Sequence, residues 1–356
     1  MKTPHLCLAA ILCTYLTAAA QEKKPQPPQS APTAPAAKPA PVAAKPAPVA
    51  TKPPPAATKP PPAATKPAPV ATKPATAATK SATPAKPTPT AAKPAPAPAP
   101  PKPAAATFAD KALEAAIRHQ VFAKRDNQEP LTLEEVAQVA ILDARKAGIK
   151  DLRGLEKCTA LASITLPDNQ ITSLAPLQGL ERLQFIDLAG NQVTDISPLA
   201  TCKALQFIAL TGNRVRDVRP LSGITSLTSL YLANNQIQDA TPLFQLPKAW
   251  TLYLDGNQIS SLAGIGGMKW LSMLSLNGNA ITDLSPLEPL TELKFLHLDG
   301  NKITDLQPLH RAWKKDHATA RNWSPYCQIT LANNPLTDAS QKLLLELKTA
   351  GARITP

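Results

Sequence analysis

The chain has 356 residues, 41 of them proline, and a formal charge of +13. Residues 21–106 hold 27 of those prolines and 12 lysines against the single acid Glu22, with no glycine, arginine or aromatic residue. Such a segment cannot bury enough apolar surface to offset chain entropy. Residues 107–356 are left close to neutral, which excludes a basic, nucleic-acid-reading domain, and the lysine-rich segment lacks the aromatic and arginine partners that such readers use.

In chain order, residues 1–20 read as an export signal: Lys2, an apolar run from Leu6 to Leu16, then Ala18, Ala19 and Ala20 before Gln21. The run falls short of the about 20 residues that a membrane-spanning helix takes, so cleavage near Ala20 is expected, with no transmembrane helix in the mature chain. Residues 21–106 follow as a disordered Pro/Ala/Lys-rich tail whose lysines recur at 38, 45, 52, 59, 66, 73 and 80. Proline density favours polyproline II, a stiff spacer rising about 3.1 Å per residue. Its charge suits attachment to an anionic envelope polymer; unselected expansion of a simple repeat is the other reading.

Residues 107–138 read as a helical N-terminal cap. Thr107 with Asp110, and Thr132 with Glu135, are spaced as capping boxes ahead of apolar runs. The first helix would bury Phe108, Leu113, Ile117 and Val121, the second Leu133, Val136 and Val139.

From 139 to 335 the chain is repetitive. Asn169, Asn191, Asn213, Asn235, Asn257, Asn279 and Asn301 recur every 22 residues within a unit LxxLxLxxNxIxDLxPLxxL. A period in this range marks a solenoid. The LxL core alternates as a short strand with leucines inward, the asparagine amide satisfies backbone where the chain leaves the strand, and the proline is expected to keep the convex stretch from running on as a regular helix. The aspartate column Asp195, Asp217, Asp239, Asp283 and Asp305 reads as turn chemistry. Cys158 and Cys202 stand two rungs apart in one repeat position, about 10 Å, beyond disulfide reach, and read as small buried hydrophobes.

This unit, with its DIxPL segment and preceding helices, resembles the leucine-rich repeat family, and most closely its internalin-like bacterial branch. The resemblance covers Thr107 to Pro356. It implies an α/β solenoid: a horseshoe with a parallel concave β-sheet, a helical N-terminal cap and, over 336–356, a C-terminal cap helix ending near Gly351. The period breaks once, between Asn301 and Asn334, where an insert at 310–326 carries Trp313, Trp323 and basic residues. Those tryptophans read either as a recognition loop or as part of the cap.

Period-two alternation assigns the outward concave columns. One contains Phe185, Phe207 and Phe295, the next Tyr231, Tyr253 and His297. Together with Trp313 and Trp323 these are the candidate partner-binding residues, because an outward aromatic stripe marks protein interfaces; rings stacking on each other to stabilise the sheet is the alternative. Asp255 and Asp299 read as solvated edge charge. No catalytic triad, metal-ligand spacing or cofactor fingerprint emerges, so catalytic, cofactor and metal residues are none and the chain reads as a non-enzyme. The reading reached is an exported protein-binding module of adhesion or recognition type, periplasmic, at the cell surface or secreted, of bacterial origin, whose partner is a protein or cell-surface ligand. A structural envelope protein held by its tail is the alternative, and a regulatory subunit like the phosphatase regulators built on 22-residue repeats a third.

Overall fold

In the computed structural model, residues 104–355 are described, apart from 320, 321, 324 and 325. The expected export signal, and the spacer up to 103, lie outside the described residues.

Ten strands of three residues each form one parallel sheet in strict chain order: β1 (Ile141–Asp143), β2 (Ser163–Thr165), β3 (Phe185–Asp187), β4 (Phe207–Ala209), β5 (Ser229–Tyr231), β6 (Thr251–Tyr253), β7 (Met273–Ser275), β8 (Phe295–His297), β9 (Gln328–Thr330) and β10 (Arg353–Thr355). Each strand pairs with the next without a slip, so that Ile186 faces Ile208, Ile208 faces Leu230, and Leu230 faces Leu252. The central residue of every strand points into a continuous core, from Leu142 through Ile164, Ile186, Ile208, Leu230, Leu252, Leu274 and Leu296 to Ile329. This is a leucine-rich repeat solenoid.

The asparagine column is buried and fully bonded. Asn235 is typical: its Nδ2 donates to the carbonyls of Leu210 (2.9 Å), Leu232 (3.0 Å) and Ala233 (3.2 Å), and its Oδ1 accepts from the Val215 N–H (2.9 Å). Each amide thus ties its own turn to the preceding rung. Asn334 makes the same bonds to Leu298, Leu331 and Ile303, so the column continues across the longer repeat. The residue before each ladder asparagine is left-handed: Gly190, Gly212, Gly256, Gly278 and Gly300, with Asp168 and Asn234 in the same role. Only glycine and short polar side chains take that conformation cheaply.

On the convex side, Asp195, Asp217, Asp239, Asp283 and Asp305 each accept the N–H two residues on, at 2.8 to 2.9 Å. The first four each open a single 3-10 turn with proline in its first two positions, as in Ser197–Thr201 and Arg219–Leu221. Proline does not itself prevent a helix here. In the long repeat the same start, Asp305 and Pro308, runs into an eleven-residue α-helix, Gln307–His317. Proline's missing N–H costs nothing in a first turn. What holds the other rungs to a 3-10 turn is the 22 residues available per circuit.

The N-terminal cap is α1 (Lys111–Gln120) and α2 (Leu133–Ala137). Thr132 and Glu135 form a complete capping box. At α1 the cap is Asp110 and not Thr107, its Oδ1 accepting from Ala112 (2.8 Å) and Leu113 (3.2 Å). Leu133 stays 39% exposed at the first position of this five-residue helix, although Val136 one turn on is buried. Ala104–Ala106, assigned to the spacer by composition, pairs with the chain before α2 through Ala106 N–H to Leu131 O (2.7 Å) and Leu133 N–H to Ala104 O (3.0 Å).

At the other end, α3 (Gln307–His317) packs against α4 (Asp338–Thr349), and Lys314 and His310 reach Glu346 at 2.8 and 3.3 Å. Gly351, with φ of +97°, ends α4 and turns the chain into β10, a rung without the repeat signature.

Candidate binding face

The outward residues of the strands form two registered columns. The first runs Ser163, Phe185, Phe207, Ser229, Thr251, Met273, Phe295, Gln328, and the second Thr165, Asp187, Ala209, Tyr231, Tyr253, Ser275, His297, Thr330. The aromatic rings cross from one column to the other as a continuous run. Phe185 and Phe207 stack with centroids 4.3 Å apart and planes at 10°; Phe207 meets Tyr231 at 5.2 Å, and Tyr231 meets Tyr253 at 5.0 Å. Such ring pairs contribute about 0.5–1.5 kcal/mol beyond area burial.

Burial divides this run. Phe185 and Phe207 are 0% and 2% exposed, whereas Tyr231, Tyr253, Met273, Phe295 and His297 are partly accessible. Outward parity therefore does not make the two phenylalanines contact residues; parallel stacking hides ring faces from water. Burial pushes the Tyr231 hydroxyl up to about 12 and raises Tyr253 as well, so both phenols are neutral hydrogen-bonding groups. The Tyr253 hydroxyl lies 3.9 Å from the Met273 sulfur, and Phe295 and His297 stack along β8 at 6.4 Å. His297 Nδ1 lies 3.3 Å from the Thr330 hydroxyl, which donates to Asp299 (2.9 Å).

Trp250 belongs to this face although alternation conceals it. It precedes β6 with inward parity, yet its indole Nε1 donates to Ser229 Oγ (3.1 Å) on the neighbouring strand and it stays 45% exposed. The small Ser229 between Phe207 and Thr251 leaves the room. That gap in an otherwise bulky column is the signal that could have found it.

Trp313 and Trp323 do not join the face. They are 4% and 3% exposed within the C-terminal cap, where Trp313 stacks on His317 at 4.4 Å and Asp316 accepts the Trp323 N–H (3.1 Å). The 310–326 insert is thus structural at its tryptophans, since the added residues become α3 and its anchor.

Asp255 and Asp299 are more than solvated charges. Asp255 accepts the Asn277 N–H (2.9 Å), Asn277 accepts the Asp299 N–H (2.8 Å), and Asp299 accepts the Ala332 N–H (2.7 Å). They form a second ladder along the edge where the later strands end. Among the described residues no group of three His, Cys, Asp or Glu side chains converges as for a metal. Cys158, Cys202 and Cys327 are buried and unpaired, and burial pushes the thiols of Cys158 and Cys327 up to about 12.

Asp187 gives a stability prediction. It is fully buried, and burial pushes its carboxyl up to about 6 against the opposing bond from the Ala189 N–H (3.0 Å). A folded pKa above the unfolded value near 3.9 means that folding is favoured at low pH and loses stability as pH rises from about 4 to 6. Asp187→Asn, which keeps an accepting oxygen, should raise stability at pH 7 by up to about 3 kcal/mol and flatten that decline. Thermal melts at pH 4.5 and 7.5 test this; a variant less stable than the parent at pH 7.5 would refute it.

The sequence profile of the family described as leucine rich repeats (2 copies) matches residues 159–201, 181–223, 203–245, 251–289 and 269–311. No curated protein sequence matches the chain. Among solved structures, internalin C2 of Listeria monocytogenes is 31% identical over 65% of this chain and 94% of its own, with a TM-score of 0.56. A leucine-rich repeat protein of Leptospira interrogans, 21% identical over 63% of this chain and 62% of its own, shares the fold with a TM-score of 0.53. The chain belongs to the leucine-rich repeat proteins of the internalin type. Proteins of this type are protein-binding modules.

Proposed function

We propose that the protein is an exported, non-enzymatic recognition module that holds a protein partner against the concave face, presented by the Lys/Pro-rich segment. The observation that carries this is the accessible aromatic and thioether surface of rungs five to eight: Tyr231, Trp250, Tyr253, Met273, Phe295 and His297. Tyrosine, tryptophan and methionine supply large, mostly apolar contact area with polar tips, the composition of interface centres. No helix among the described residues is long and apolar enough to cross a membrane. The lysine spacing of residues 38–80 supports attachment of the spacer to an anionic envelope polymer.

The test is capture of a protein partner by the full chain and by a Tyr231→Ser, Tyr253→Ser variant. The variant should lose at least tenfold in affinity, since truncating central aromatic contacts costs about 2 kcal/mol or more. Capture at unchanged affinity would exclude the concave face. Deleting residues 21–103 should abolish envelope retention while leaving partner capture intact.

A further inference from the structure

We propose that the edge of the solenoid where β6 to β9 begin is a second binding surface, which takes a linear acidic polysaccharide. Trp270 is 70% exposed, Tyr326 57% and Trp250, where this edge meets the concave face, 45%, and all three lie on the segments that lead into those strands. Elsewhere among the described residues the large exposed hydrophobics, Phe122, Leu133, Ile141 and Leu345, sit at the two capped ends. On this edge every exposed large apolar side chain is aromatic.

Their spacing is set by the rungs. Ser272, two residues after Trp270, donates its N–H to the Trp250 carbonyl (2.9 Å), so the two tryptophans stand on consecutive rungs. Tyr326 precedes β9, two rungs beyond Trp270. At about 4.8 Å per rung the three rungs are spaced roughly 5 and 10 Å along the axis, the length of one to two sugar rings, with Trp250, Tyr326 and Trp270 at successively earlier positions along their rungs. No ring contact joins the three among the described residues. Trp250 and Trp270 stand as separate rings, and Tyr326 carries Lys294 over one face.

The polar surroundings set the ligand's charge. Lys248 and Lys269 are exposed beside the tryptophans, and Lys294 lies over the Tyr326 ring, 5.7 Å from its centroid, with its Nζ donating to the Asn322 carbonyl (3.1 Å). The acids among these segments are Glu288, which pairs with Arg311, and Glu292. A protein anchor needs a well-packed, desolvated pocket around its aromatic centre, and among the described residues this edge exposes no Leu, Ile, Val or Met side chain, only Pro247 and Pro289 beside the rings. A pyranose needs none: its C–H face lies flat on an indole or phenol ring while hydroxyl and carboxylate groups at its rim reach the ammonium groups. A polymer of uronic acid sugars meets both requirements, with one ring on each platform and a carboxylate beside each lysine.

Alginate oligosaccharides titrated into the full chain, followed by tryptophan fluorescence, test the proposal. Salt at about 0.5 M shortens the screening length to roughly 4 Å and suppresses attraction to the lysine-rich segment, leaving stacking contacts in place. Wild type should bind with a shift in tryptophan emission. Trp270→Ala with Tyr326→Ala should weaken binding at least tenfold, and Lys248→Glu with Lys269→Glu should weaken it more steeply at low salt, both with unchanged circular dichroism. The Tyr231→Ser, Tyr253→Ser variant should bind alginate as wild type does, which separates this edge from the concave face. Equal affinity of the Trp270→Ala, Tyr326→Ala variant and the parent, absence of binding, or equal binding of neutral dextran would each overturn the proposal.

Discussion

Asn235→Ala is expected to lower stability by about 4 kcal/mol, near the upper end for a single substitution. The loss comes less from the bonds broken than from the groups left behind. The Val215 N–H and the carbonyls of Leu210 and Leu232 are buried around the amide and have no route to water, and each such orphan costs about 1–3 kcal/mol. Asn235→Asp should be worse, because it aims a second oxygen at three carbonyls. The damage should also be uneven along the stack. In a solenoid each rung contacts only its neighbours, so a weakened middle rung uncouples the two halves. All four tryptophans, Trp250, Trp270, Trp313 and Trp323, lie beyond this rung, so their fluorescence reports the C-terminal half. Urea transitions followed by fluorescence and by circular dichroism should separate in the variant; coincident transitions with a loss below about 1 kcal/mol would show that the ladder does not hold the rungs together.

Asp110→Ala is expected to release the N-terminal cap. One carboxylate holds four backbone N–H groups: Ala112 and Leu113 at the start of α1, and Lys150 (2.8 Å) and Asp151 (3.3 Å) in the first rung. Burial acts to raise its pKa, but these four bonds together outweigh it and hold the carboxyl below the usual carboxylate range. A depressed folded pKa contributes stability that is present above the unfolded value near 3.9 and is lost as pH falls through the folded value. Removing the cap bonds and the clamp together should cost about 3 kcal/mol, concentrated in α1. Amide exchange at Leu113 and Ile117 should accelerate about a hundredfold at pH 7, and the difference from wild type should narrow as pH falls below about 4. Unchanged protection of α1 would mean that apolar packing alone holds the cap.

The solenoid could be read from the chain because its determinants are periodic: a 22-residue interval states the rung, and the LxL phase states which side chains enter the core. What could not be read depends on neighbours that the repeat does not specify. Trp313 and Trp323 look the same in sequence whether they face solvent or fill a cap, and only the growth of Gln307–His317 into a helix decides it. Phe185 and Phe207 have outward parity but stack face to face, a property of two rungs together. Trp250 has inward parity and escapes outward through the space above Ser229. The bonds from Asp255 to Asn277 to Asp299 require adjacent register, and β10 pairs with β9 and sends Ile354 into the core without any repeat signature.

The slip-free register of β1 to β9 makes the length of the domain a quantity that changes only in whole units. A duplicated or deleted block of 22 residues returns every side chain to the column it occupied, and the amide of each new asparagine finds its two neighbouring turns already in place. A block of any other length would carry the downstream strands out of phase unless, as between Asn301 and Asn334, the surplus is gathered into a helix on the outer side. The concave face can therefore be lengthened or shortened without redesign of its core, and residues such as Tyr253 and His297 can be moved apart along the axis while each keeps its orientation.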